Sequence, residues 1–220
     1  MYRLEVIATT LHDAIEAQAG GASSLEIIEN LSVGGLTPRL NLVRAIRDTV
    51  NIDMHVMVRP HAAGFVYSPQ EAETILRQTE EMTSIGVTSV VFGALTREGE
   101  VNLRLVQQVS RIAGRLTFHR ALDETNDPET ALLALRGTAE RVLCSGGAYA
   151  IWDGRQTMSN WVQAYSGNFS FVCAGGITLE NLPRLAQITQ AQEYHVGSAA
   201  RMNGVVDRER VSRLVRILNS

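Results

Sequence analysis

The stretch Leu25-Glu26-Ile27-Ile28-Glu29-Asn30, an apolar run that breaks off into charged and polar residues, is one of eight of its kind in this chain. The others are LEVIA from Leu4, MHVMVRP from Met54, VVFGA from Val90, LTFHRALD from Leu116, RVLCSGG from Arg141, FVCAGG from Phe171 and YHVGSAAR from Tyr194. They are spread over the whole length, with about the room between them that two turns and a helix need. That rhythm predicts an α/β fold of the (β/α)8, or TIM-barrel, type, in which function sits at the C-terminal ends of the strands. The residues that close the eight runs are therefore the shortlist for chemistry.

A chain of 220 residues suits one such barrel and can bury a large core, so a single domain over residues 1–220 is expected. A formal net charge of -3 and a pI near 6.0 leave no electrostatic footprint for nucleic acid, and no stretch is long and apolar enough to span a bilayer. The partner these numbers favour is a small molecule or a metal. The start, MYRLEVIATT, lacks the charged segment, apolar segment and small-residue cleavage site of an export signal. Cys144 and Cys173 are read as thiols in a reducing cytoplasm.

Between the runs the periodicity turns helical, as in Leu40, Val43, Ile46 and Val50 after Pro38. Ser68-Pro69-Gln70-Glu71 and Asn126-Asp127-Pro128 each open a helix with a cap and an early proline, ending near Gly86 and Gly137. Thr178 is expected to cap a helix holding Asn181 and Pro183 in its first turn, and Asp207–Leu218 to close the ring. Between Ala148 and Tyr165, Trp152, Gly154 and Trp161 leave only a short amphipathic stretch from Thr157, which predicts a short or displaced sixth helix.

Strand alternation sorts the polar residues, because side chains two apart share a face and one face points into the barrel. Glu5 goes with Ile7, Glu26 with Ile28, His55 with Met57 and Arg59, and Thr117 with His119. If these faces point inward, two glutamates, two histidines and an arginine converge in the upper barrel; the opposite parity would leave them between sheet and helices, a poor place for charge. A buried carboxylate beside an imidazole can be an acid/base pair, and an arginine can hold an anion. Glu5, Glu26, His55, Arg59, His119, Arg120 and Asp123 are accordingly the catalytic candidates. The competing structural reading pairs Glu5 or Glu26 with Arg59 or Arg120 and leaves the histidines bonded to backbone.

The runs from Phe171 and Tyr194 end in Ala174-Gly175-Gly176 and Val196-Gly197-Ser198-Ala199-Ala200-Arg201, where such barrels often bind phosphate through backbone N–H groups. Ser145, Gly175, Gly176, Gly197, Ser198 and Arg201 are the anion-binding candidates, against the alternative that these glycines only turn the chain. Cys144 and Cys173 end adjacent strands and are the candidate ligands for a soft metal, with Met57 as a thioether; the alternative is that all three are packing residues.

The chain resembles the CutC family, described as copper-homeostasis proteins. The matching segments are Gly34-Gly35-Leu36-Thr37-Pro38, Met57-Val58-Arg59-Pro60 continuing through Gly64-Phe65-Val66-Tyr67-Ser68, Thr117 to Asp123, Ala174-Gly175-Gly176-Ile177 and Gly197 to Arg201. The resemblance implies a (β/α)8 barrel, a cytoplasmic location, a homodimer or higher homo-oligomer, and copper as ligand. The family pattern carries cysteine in its first strand and at the end of its second, where this chain has Leu4-Glu5-Val6-Ile7 and Leu25-Glu26-Ile27-Ile28. Two functions from different classes follow: copper handling through Cys144, Cys173 or Met57, and an isomerase, aldolase or lyase acting on a small anionic or phosphorylated compound.

Overall fold

The computed structural model describes residues 2–220. Strands β1 (Arg3–Ala8), β2 (Ser24–Ile27), β3 (Asp53–Met57), β4 (Ser89–Phe92), β5 (Leu116–Phe118), β6 (Arg141–Cys144), β7 (Ser170–Cys173) and β8 (Glu193–Val196) each pair in parallel with the next, and β8 returns to β1. Helices α1 (Leu11–Ala19), α2 (Leu40–Arg47), α3 (Pro69–Ser84), α4 (Leu103–Ala113), α5 (Pro128–Leu135), α6 (Ile151–Tyr165), α7 (Leu182–Thr189) and α8 (Arg208–Leu218) follow the strands in turn. The molecule is the predicted (β/α)8 barrel.

The strands present their apolar alternates outward. Leu4, Val6, Leu25, Ile27, Met54 and Val56 join the core that the helices cover, whereas Ile7, Ile28, Met57 and Val91 form a separate cluster on the inner face. This settles the parity: Glu5, Glu26, His55 and His119 share the inner face, and all four are buried. Closure forces this choice, because the outer face meets apolar helix stripes and has nothing to pair with a charge.

The caps read from sequence act as expected on most helices. Ser68 and Glu71 form a reciprocal capping box on α3 with Pro69 in the first turn, and Asp127 accepts the N–H groups of Glu129 and Thr130 on α5. Two expectations are corrected. Thr178 accepts from the N–H groups of Glu180 and Asn181, but this closes a separate turn; α7 starts only at Leu182, one residue before Pro183. Proline has no N–H to donate, so it fits that first turn and not the second. Helix α6 is not short but runs 15 residues. Gly154 lies inside it because a Cβ there would collide with the Ser145 carbonyl, so the glycine that reads as a breaker is a point of close backbone approach. Between β8 and α8 the chain adds a hairpin of β9 (Arg201–Met202) and β10 (Val205–Val206), turned by Asn203 and Gly204, both at positive φ.

Candidate functional site

A cavity of about 600 Å³ opens at the C-terminal ends of the strands. Its wall combines Ile7, Met57, Leu143, Ala174 and Ile177 with Glu26, Arg59, His119, Arg120 and His195. Beneath it the barrel is filled by polar side chains. Arg141 donates to Thr117 Oγ1 at 3.0 Å, to Glu5 Oε2 at 3.0 Å and to Glu193 Oε2 at 2.8 Å. Glu193 also accepts from the Ser170 hydroxyl. His195 Nδ1 lies 2.9 Å from the other oxygen of Glu5, and its Nε2 lies 3.7 Å from Glu26 Oε2.

This stack polarises its members in opposite directions. Burial pushes Glu5 upward, but Arg141 and the hydrogen bond from His195 outweigh it and hold that carboxyl well below the usual range. Glu26 has no such arginine contact; burial, reinforced by the Glu5 charge, pushes it up to about 7 against the pull of His195. Burial works against the His195 cation too, yet Glu26 and Glu5 together raise its pKa. Glu26, which holds its proton until about pH 7, and His195, whose cation the two carboxylates favour, thus adjoin as acid and base on the cavity floor.

Glu5 and His55 face inward as the alternation requires, but neither lines the cavity. His55 Nδ1 is 2.7 Å from Ser89 Oγ, its Nε2 has no hydrogen bond, and burial lowers its pKa to about 4, so it is a neutral imidazole beneath the cavity. Glu5 takes a buried arginine as partner, as the structural reading allowed, but the partner is Arg141 and not Arg59 or Arg120.

His119, just past β5, keeps its place in the cavity wall. Its Nδ1 accepts the Ala121 N–H at 3.1 Å, and its ring lies 4.7 Å from the Phe65 centroid. A Cβ on Gly93, at the end of β4, would fall 2.6 Å from that ring, so the glycine makes room for it.

Asp123 does not present a free carboxylate. It accepts from the N–H groups of Ser145 and Gly147, from Ser145 Oγ at 2.8 Å and from Arg120 Nε at 2.9 Å, and so anchors the β6–α6 loop. Ser145 spends its hydroxyl on the same anchor and lies outside the cavity lining. Arg201 is likewise drawn away, to the Ile7 carbonyl at 3.0 Å and Asp13 at 2.8 Å. Of the anion-binding candidates, Gly175, Gly176, Gly197 and Ser198 do border the cavity. Gly175 and Gly176 are both at positive φ, and a Cβ on Gly175 would sit 3.2 Å from Arg120 Nη1, so the glycine admits the guanidinium to the rim.

Cys144 and Cys173 are register partners on β6 and β7, so sequence reasoning brought them together correctly. They point into the apolar layer under the helices, away from the cavity. Burial raises the Cys173 thiol to about 12 and the Cys144 thiol well above its ordinary value, which disfavours the thiolate that soft metals bind. Among the described residues no three His, Cys, Asp or Glu side chains are grouped to hold a metal ion. Met57 packs with Ile7, Ile28 and Val91, none of which is a donor. The residues present do not fit a resident copper ion.

His195, Arg141, Glu193 and Phe65 were absent from the sequence candidates. His195 carried a signal, since it stands two residues before Gly197 and must share its inward face. Arg141 and Glu193 open their strands, where charge reads as the edge of an apolar run, and only strand closure brings them within 2.8 Å.

Compared with known families, residues 2–200 match the CutC family. A CutC family protein of Xanthomonas axonopodis pv. citri is 35% identical over 198 residues, covering 89% of this chain and 82% of that one. The human protein named copper homeostasis protein cutC homolog is 33% identical over 197 residues, covering 88% of this chain and 72% of its own. Among solved structures, the putative copper homeostasis protein CutC of Streptococcus agalactiae superposes with a TM-score of 0.84 at 24% identity, covering 90% and 99% of the two chains, which speaks for the fold.

Proposed function

This chain belongs to the CutC family, and from that premise we propose that it takes part in copper homeostasis, the process its human and streptococcal relatives are named for, by binding a small organic molecule in the cavity and not by holding copper itself. The observation that carries the second half is the division of groups between the two faces of the sheet. Every soft thiol is sealed in the outer apolar layer, whereas the cavity sets the titratable groups Glu26 and His195, together with Arg59, His119 and Arg120, among the apolar side chains of Ile7, Met57, Leu143, Ala174 and Ile177. Organic ligands are recognised by such walls with a few placed polar groups. The thiols Cys144 and Cys173, adjacent yet unpaired, also support a reducing cytoplasm as the place of action.

The test joins a titration to a genetic assay. In an anaerobic Cu(I) competition against a chromogenic chelator, the protein and a Cys144→Ser, Cys173→Ser double variant are expected to be equally poor competitors. In a deletion strain whose copper tolerance is restored by the native chain, the double variant should restore it too, and Ala174→Leu, which fills the cavity, should not. Tight stoichiometric Cu(I) binding lost in the double variant would refute the cavity as the agent. No change in copper tolerance on deletion would remove copper homeostasis from the account.

A further inference from the structure

Arg59 is a buried cation without a counter-ion. Its guanidinium donates through Nη1 to the carbonyls of Val33 at 2.9 Å and Gly35 at 3.3 Å, reaches the Ala62 carbonyl through Nη2 at 3.5 Å, and lies 4.8 Å over the Phe65 ring. Its Nε is buried with no acceptor, and among the described residues no carboxylate pairs with it. The other deeply buried arginines are treated differently. Arg141 has Glu5 and Glu193, and Arg201 has Asp13 at 2.8 Å. A buried charge left uncompensated is costly, so a chain that neutralises two of three has reason to leave the third for something that arrives from outside.

A second unpartnered donor stands beside it. His119 Nδ1 accepts the Ala121 N–H, which leaves the ring proton on Nε2, and that atom is buried without an acceptor. Burial and the Arg59 charge lower the His119 pKa to about 3, so the ring is neutral and still a donor at physiological pH. Arg59 and His119 pack against the same Phe65 ring and both line the cavity, and each is more than nine-tenths buried. The Tyr67 hydroxyl is a third buried polar atom beside them, close enough to Arg59 to feel its charge.

We propose that Arg59 Nε and His119 Nε2 form an oxyanion subsite around Phe65, so that the cavity's ligand is an organic acid whose carboxylate or phosphate head sits there and whose apolar body lies along Met57, Ile7 and Leu143. This rests on the cavity being a ligand site and adds to it the chemical class of the ligand and the pole at which it is held. The anion would approach the strand 3 and strand 5 side of the mouth, opposite in sequence to the Gly175 and Gly197 loops on which sequence reasoning placed it. One charged and one neutral donor, withdrawn from water, make such a contact worth far more than at an exposed surface.

Matched probes decide the matter: benzoate, phenyl phosphate and benzyl alcohol, titrated calorimetrically into the native chain, Arg59→Met and His119→Phe. The native chain is expected to bind one or both anions roughly tenfold or more tighter than the alcohol. That advantage should vanish in Arg59→Met and shrink in His119→Phe, which keeps an aromatic ring but no donor, while alcohol binding persists in both. If all three probes bind alike, or the anion keeps its advantage in both variants, the subsite is refuted and the cavity reading stands. If none of the three binds the native chain, both fall together. Should Arg59→Met fail to fold, His119→Phe carries the comparison, since an unchanged anion advantage there overturns the proposal.

Discussion

Glu26 shows how one residue's chemistry is set by what its neighbours already spend. Glu5, one strand away, takes both the Arg141 contact and the His195 Nδ1 contact, so Glu26 keeps only a 3.7 Å approach to His195 and holds its proton until pH about 7. The sign of the pH effect follows. Its carboxyl ionises in the unfolded chain near its ordinary 4.5 but in the folded chain only near 7, so the native state binds more protons between those values and loses stability as pH rises through them. The full loss is on the order of 3 kcal/mol. Urea unfolding of the native chain and Glu26→Gln between pH 4.5 and 8 should show the variant gaining relative to the native chain by about that amount as pH rises. Parallel curves would mean that Glu26 is ionised throughout.

At the scale of elements, the β6–α6 connection is the best-defined part of the rim. Asp123 collects the N–H groups of Ser145 and Gly147, and the start of α6 closes onto the end of β6 through Gly154. Because the colliding atom would be a backbone carbonyl, which no side-chain rotation can relieve, Gly154→Ala should displace α6 and cost about 1–3 kcal/mol. Gly167, just beyond the same helix, has nothing within 4 Å of its would-be Cβ, so Gly167→Ala should lie within about 0.5 kcal/mol of the native chain. Thermal unfolding of the two variants checks both. Equal behaviour would show that the α6 contact has no mechanical part in the fold.

At the scale of the whole molecule, the barrel is closed around charge. Arg141 from β6 binds Glu5 from β1 and Glu193 from β8, joining strands that lie 136 and 52 residues apart in the chain. Arg141→Met would leave two buried carboxylates without their cation and is expected to cost about 3–5 kcal/mol. Adding Glu193→Gln should return part of that loss. Chemical unfolding of the single and double variants measures it, and a single variant as stable as the native chain would show that the interior network does not hold the barrel shut.

The eight apolar runs, their spacing and most helix caps were legible in the sequence, because they are local: a period of two or 3.6, a serine or aspartate before a proline, an apolar run ended by glycine. So were Glu26, Arg59, His119 and Arg120 at the cavity, since alternation and strand-end position place them without knowledge of the partner strand. Beyond local pattern, only tertiary structure decided how charges are paired. Nothing near Glu5 in the chain says that Arg141 will neutralise it, that Asp123 will spend its carboxylate on a neighbouring loop, or that Arg59 will be left with none. Those outcomes depend on which strands closure makes neighbours and on the low dielectric inside the barrel. There each ion must find its partner across long chain separations, or wait for one from outside.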